Sequence, residues 1–154
     1  MSVARGKVRD DSRLRAERLA PKRNSSRHRI EEFAERFVYF DQSGRRFRVF
    51  EKLKAMIDEA RSSGIVRRIF IAGSFVTDQP EPNDFDCILV LDPTIVGQSL
   101  RPSQYNLVSR RRARRLFGGD VVPVIEGSAG LLEYLEFFQS TRDGEPMGIV
   151  EITL

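Results

Sequence analysis

The chain has 154 residues, 40% hydrophobic and 31% charged, the size and balance of one soluble domain. No run approaches the ~18 apolar residues of a membrane span, residues 1–15 lack the apolar core of a secretory signal, and the single cysteine, Cys87, excludes an internal disulfide, so a reducing cytoplasm is the expected location. The net charge of +4 is unevenly spread: residues 1–29 carry +7 and the remainder −3.

Residues 1–29 hold too few apolar side chains to offset their ordering entropy, and they read as a basic tail, disordered until bound. It could serve as an arm for RNA, DNA or an acidic partner, or merely as a solubilising leader. A single domain is expected over 30–154. Ile30–Phe40 has helical apolar spacing. After a break at residues 41–44, Arg46–Ser62 reads as an amphipathic helix with Phe47, Phe50, Leu53, Lys54, Ile57 and Ala60 near one face, stopped by Ser63-Gly64. Val66–Ile71 and Phe85–Leu91 are strands, the second apolar at nearly every position and so covered on both faces. Pro102–Phe117 reads as one helix ended by Gly118-Gly119. Asp120–Ile125 is a short strand whose Pro123 points to a sheet edge or a bulge. Ser128 would cap a helix over Ala129–Gln139, and Met147–Thr153 is a last strand. This order implies an α/β or α+β domain, with a mixed sheet of about four strands flanked by helices. The loop between the first two strands is too short for a crossover helix, so those strands should be antiparallel neighbours.

That loop carries the chemistry: "IFIAGSFVTDQPEPNDFDCILVLD", residues 69–92. Side chains alternate along a strand, so Asp84 and Asp86 should share a face while Phe85 and Cys87 pack on the other. Two carboxylates ~7 Å apart along a strand repel each other unless a cation lies between them. Mg²⁺ meets that need, with hard oxygen ligands and open positions for phosphate (Mn²⁺ would serve similarly). Gly73 lets the backbone approach a bulky anion, and Ser74 adds a hydroxyl and opens a turn whose N–H groups could face phosphate. One strand would bring the metal and its neighbour the phosphate cradle, holding a nucleoside triphosphate for in-line attack at phosphorus.

Gly73-Ser74, nine residues and then Asp84-Phe85-Asp86 on an apolar strand resembles the polymerase-beta-like nucleotidyltransferase superfamily in its minimal form. The stretches "GSFVTDQPEPNDFD" and "FFQSTRDGEPMGIVEITL" look closer still to an uncharacterised bacterial family within it, a likeness covering roughly residues 30–154. The resemblance implies a nucleotidyltransferase-like core and a third carboxylate on a later strand. Asp120, which begins "DVVPVI", would be that third metal ligand or the base for the attacking hydroxyl, with Glu126 at the far end of the strand as its rival. It also implies an NTP substrate, with ATP expected, and Mg²⁺-dependent transfer of a nucleoside monophosphate to an acceptor hydroxyl. Small members of the superfamily are frequently antitoxins paired with a helical HEPN ribonuclease toxin, and some attach AMP to it.

Plainer readings stand beside these. Asp84 and Asp86 could be a strand cap and an exposed acid, Gly73 a turn glycine, and Asp120 a turn residue after Gly118-Gly119. The arginines at 110–115 more often mark a solvated helix face than a site for triphosphate or nucleic acid. Two other function classes remain open: a non-catalytic antitoxin that neutralises its partner by contact, and a nucleic-acid-binding module using the basic tail.

Overall fold

A computed structural model of the protein describes residues 25–154, so the proposed basic arm lies outside the described residues over positions 1–24. Apolar runs and turn residues set the element order: β1 (Ser25–His28), α1 (Ile30–Phe37), α2 (Arg45–Ser63), β2 (Val66–Ala72), β3 (Asp86–Leu91), α3 (Pro102–Val108), α4 (Arg110–Phe117), β4 (Asp120–Ile125), α5 (Ala129–Phe138) and β5 (Ile149–Ile152). Gly73 starts a single 3-10 turn, Ser74–Val76, directly after β2. No described helix is long and apolar enough to cross a membrane.

The five strands form one mixed sheet in the order β1-β5-β2-β3-β4. β2 pairs antiparallel with β3, as the short loop requires, and antiparallel with β5, whereas β3∥β4 and β1∥β5 are parallel. The expected four strands become five because Ser25–His28, within the segment assigned to the tail, completes its hydrogen bonding along β5, with Ser25 opposite Ile149. Strand pairing is a backbone interaction, and the polar side chains of β1 do not prevent it at a sheet edge.

Each face of the sheet has its own core. Cys87, Leu89, Val121 and Val150 pack with Phe33, Phe50, Leu53, Ile57, Leu107 and Phe117 of the first four helices. Phe70, Ile88, Val90, Val122 and Val124 pack beneath Leu131 and Leu135 of α5. This double cover explains why β3 is apolar on both faces. β4 is the edge strand that Pro123 called for.

Three local expectations are corrected. The helix expected over Pro102–Phe117 is two helices, because Ser109 is extended and its Oγ accepts the N–H of Arg112, starting α4 afresh. Ser128 occupies the cap position of α5 without a side-chain capping bond. On α2, Phe50, Leu53, Ile57 and Ala60 are buried as expected, but Phe47 and Lys54 are exposed, and Val49, Met56 and Arg46 complete the buried face.

Arg46 is fully buried. Its guanidinium donates from Nη1 to the carbonyls of Phe37 (2.9 Å) and Phe75 (2.8 Å), and from Nη2 to those of Thr77 (2.8 Å) and Gln79. It also lies over the rings of Phe40 and Phe75, at 4.8 and 5.6 Å from their centroids. One side chain thus ties the end of α1 and the start of α2 to the loop that follows Gly73-Ser74. Its main-chain N–H donates to Asp41, and with the Ser43 hydroxyl this bond holds the Asp41 carboxyl down at about 2.

Candidate functional site

The carboxyl end of β2 and the amino ends of β3 and β4 meet at one rim of the sheet. Register fixes the meeting: Ala72 lies opposite Asp86 in the antiparallel pair, and Asp86 lies opposite Asp120 in the parallel one. Neighbouring strands run ~4.8 Å apart. Asp86 alternates with Ile88 and Val90, and Asp120 with Val122 and Val124, so both carboxylates start from the α5 side of the sheet. The N–H of Asp120 donates to the Phe85 carbonyl at 2.9 Å, pinning the start of β4. Gly119 makes this approach possible, since a Cβ there would fall 2.4 Å from the Phe85 ring.

Gly73 is set against Asp86. Its φ is +76°, and a Cβ at this position would lie 2.1 Å from Asp86 Oδ2. Only glycine permits both the backbone conformation and the contact. The sequence-derived neighbours Gly73, Ser74 and Asp86 therefore do stand together, and Asp120 joins them. Glu126 does not: it lies past the opposite end of β4, where its N–H donates to the Leu91 carbonyl and its carboxylate pairs with Arg67 at 3.3 Å.

Asp84 precedes β3 and takes a partner of its own. Arg114 Nη1 donates to Asp84 Oδ2 at 2.8 Å, and Arg110 Nη2 donates to both oxygens of Asp120 at 3.0 Å. Both arginines come from α4, so two members of the block at 110–115 face the carboxylates rather than forming only a solvated surface. The hydrogen bond to Asp120 raises the Arg110 pKa above its ordinary value. Asp86 has no such partner among the described residues. Burial, then repulsion from Asp84 and Asp120, pushes its carboxyl up to about 6, against a smaller opposing pull from Arg114. Arg67 and Arg68 point elsewhere, to Asp92 and Glu151. Cys87 is fully buried and its thiol pKa is raised by that burial, as befits a small core residue.

Beside Asp86 and Gly73 opens a cavity of about 380 Å³, walled by Phe137, Phe138, Ser140, Thr141, Arg142 and Met147. None of these six was singled out as a site residue from the sequence. Phe137 is 67% exposed, which is unusual for a large aromatic side chain.

The donor set suits a hard divalent cation, since every candidate ligand is a carboxylate oxygen. The arrangement fits it in a narrower form than the sequence implied. Among the described residues no group of three or more His, Cys, Asp or Glu is arranged to hold a metal ion, and arginine engages two of the three aspartates. Mg²⁺ commonly binds through one or two carboxylates and completes its shell with water and substrate phosphate. Asp86 and Asp120, in register beside Gly73, suit that mode.

A family match covers residues 15–153. The chain belongs to a family of unknown function, DUF6932. No curated protein matches it. A solved structure that resembles this DUF6932 chain is a "putative nucleotidyltransferase" from Sulfolobus solfataricus, at 17% identity and a TM-score of 0.31, over 52% of this chain and 68% of that one. A likeness of that size bears no weight on function, and the reading of the site stands on its own geometry.

Proposed function

We propose that this rim is a nucleotidyl-transfer site, which moves a nucleoside monophosphate from a Mg²⁺-bound triphosphate to an acceptor hydroxyl and releases pyrophosphate. One observation carries the reading: two carboxylates in register on adjacent parallel strands, with a positive-φ glycine whose missing side chain lets one of them lie against its backbone.

Asp86 and Asp120 would hold the cation. When bound, it supplies charge neutralisation at phosphorus and polarises the phosphate oxygens. The chain's own residues do the rest. Asp86, held near pKa 6, ionises fully when a positive charge arrives. Gly73 lets the Asp86 carboxylate lie against the backbone of the turn that would face phosphate, and the cavity wall of Phe137 and Phe138 offers aromatic surface to a base. Arg110 and Arg114 are half-exposed ion-pair partners, and pairs of that exposure contribute only ~0–1 kcal/mol. They can therefore exchange their aspartates for phosphate oxygens when cation and triphosphate arrive together. Asp120 or Asp84, once free of arginine, would take the acceptor proton.

The same ion pairs favour a second reading, a binding protein of this fold whose acidic cluster is neutralised internally and never receives a metal. Labelling separates the two. The full chain is incubated with each α-³²P nucleoside triphosphate, Mg²⁺, and RNA or a candidate protein acceptor such as a helical ribonuclease toxin. Transfer predicts a labelled acceptor, and loss of label in the double variant Asp86→Asn, Asp120→Asn. A contact antitoxin would instead protect against its toxin with both substitutions in place and without label, and that result would refute transfer.

A further inference from the structure

A second cavity, of about 500 Å³, lies outside the carboxylate rim. Its wall is the face of α2 that carries Arg45, Arg48 and Lys52, one and two turns apart and so stacked on one side of the helix. Its floor is apolar: Val49, Phe85 and Phe117 are all buried core residues. Asn83 and Asp84 close the edge nearest the carboxylate site.

The charge in this cavity is unbalanced. Arg45 is satisfied, donating to Asn83 Oδ1 at 2.7 Å and pairing with Glu81 at 3.3 Å. Asp84 is satisfied by Arg114. Arg48 and Lys52 have no carboxylate within ion-pair distance among the described residues, although acids make up 22 of the 154 positions. Lys52 is also positioned by packing. Its stem crosses Gly118, where a Cβ would lie 3.3 Å from Lys52 Cδ and 3.4 Å from Nζ. The bare glycine after α4 thus lets the ammonium lie at the cavity.

Two unpaired cations over an apolar floor, in a volume within the ~300–1,000 Å³ of small-molecule sites, match a dianion carrying an organic body. A carboxylate would supply one charge, whereas a phosphate monoester supplies nearly two and offers three acceptor oxygens to guanidinium and ammonium donors. We propose that this cavity binds a phosphate monoester, with Arg48 and Lys52 holding the phosphate and Val49, Phe85 and Phe117 underlying its organic part. The proposal does not depend on nucleotidyl transfer. The cavity lies on the helical α1–α4 side of the sheet, whereas Asp86 and Asp120 start from the α5 side.

The test is calorimetric titration of the full chain in EDTA with AMP, ribose 5-phosphate, inorganic phosphate and adenosine. The expected result is that AMP and ribose 5-phosphate bind without metal, and that inorganic phosphate binds more weakly because it leaves the floor uncovered. Adenosine, lacking the charge, should not bind. Arg48→Gln with Lys52→Gln should weaken AMP by about tenfold or more, as expected for two charge-assisted contacts. Both residues are exposed, so the variant keeps its fold, which an unchanged circular dichroism melt verifies. Asp86→Asn with Asp120→Asn should leave AMP affinity unaltered. Absence of AMP binding at millimolar concentration, equal binding of adenosine, or loss of AMP with the aspartate pair rather than the α2 pair would each overturn the proposal.

Discussion

Replacing Arg46 by Met should destabilise the protein more than any surface substitution on the same helix. The guanidinium makes four hydrogen bonds to main-chain carbonyls and is fully buried. Hydrogen bonds to a charged group contribute ~1.5–3 kcal/mol each, so the gross loss approaches ~6–12 kcal/mol. Two effects reduce it. Met removes a buried charge whose desolvation costs several kcal/mol, a cost visible in the Arg46 pKa, which burial lowers from its ordinary value. The carbonyls of Thr77 and Gln79 are only partly buried and can turn to water. The carbonyls of Phe37 and Phe75 are buried and stay unpaired, at ~1–3 kcal/mol each. The net expectation is a loss of about 2–5 kcal/mol, or roughly 6–15 °C in Tm at ~3 °C per kcal/mol for a domain of this size. Urea and thermal melts followed by circular dichroism measure it. A change below ~1 kcal/mol would refute the reasoning, since relaxed carbonyls would then have found other partners.

Other consequences follow from the site. Asp86 titrates near 6 in the folded protein against 3.8 for an ordinary Asp, so the unfolded chain releases its proton first. Stability should therefore fall as pH rises from about 4 to 6, by up to ~2 kcal/mol after allowance for solvent screening. Asp86→Asn should remove that slope and be the more stable protein at pH 8; a parallel pH profile would contradict the assignment. Gly73→Ala places a methyl group against Asp86 Oδ2 at a φ of +76°, and should cost ~1–3 kcal/mol while displacing the carboxylate, read as a lowered urea midpoint together with weakened Mg²⁺-dependent nucleotide binding. Phe137→Ala, at an exposed position, should leave the unfolding free energy within ~0.5 kcal/mol of wild type but reduce ATP affinity severalfold by fluorescence titration.

The parts of the site legible in the sequence were those set by local geometry. A loop too short for a crossover forces β2 and β3 together, and Gly73 then falls beside Asp86. Asp120 could be chosen over Glu126 because it begins its strand, and parallel register carries that position to Asp86. Contacts between distant segments were not legible. Arg46 reads as a surface charge on an amphipathic helix until four carbonyls from two other segments converge on it. Ser109 gives little warning that the chain turns extended there, and the whole stretch reads as one helix. The wall of Phe137, Phe138 and Arg142 comes from the end of α5 and the turn after it, and nothing in its local pattern indicates that it borders Gly73. Arg110 and Arg114 differ from their neighbours only in their helical phase toward the sheet rim.

The most direct test of the central claim is calorimetric titration of the full chain with a non-hydrolysable ATP analogue, with and without Mg²⁺. Carboxylates converging at Gly73 predict binding that requires Mg²⁺ and disappears when Asp86 and Asp120 are both changed to Asn. With the α2 cavity disabled by Arg48→Gln and Lys52→Gln, binding that persists in the aspartate double variant, or that proceeds equally well in EDTA, would contradict a dication held between β3 and β4.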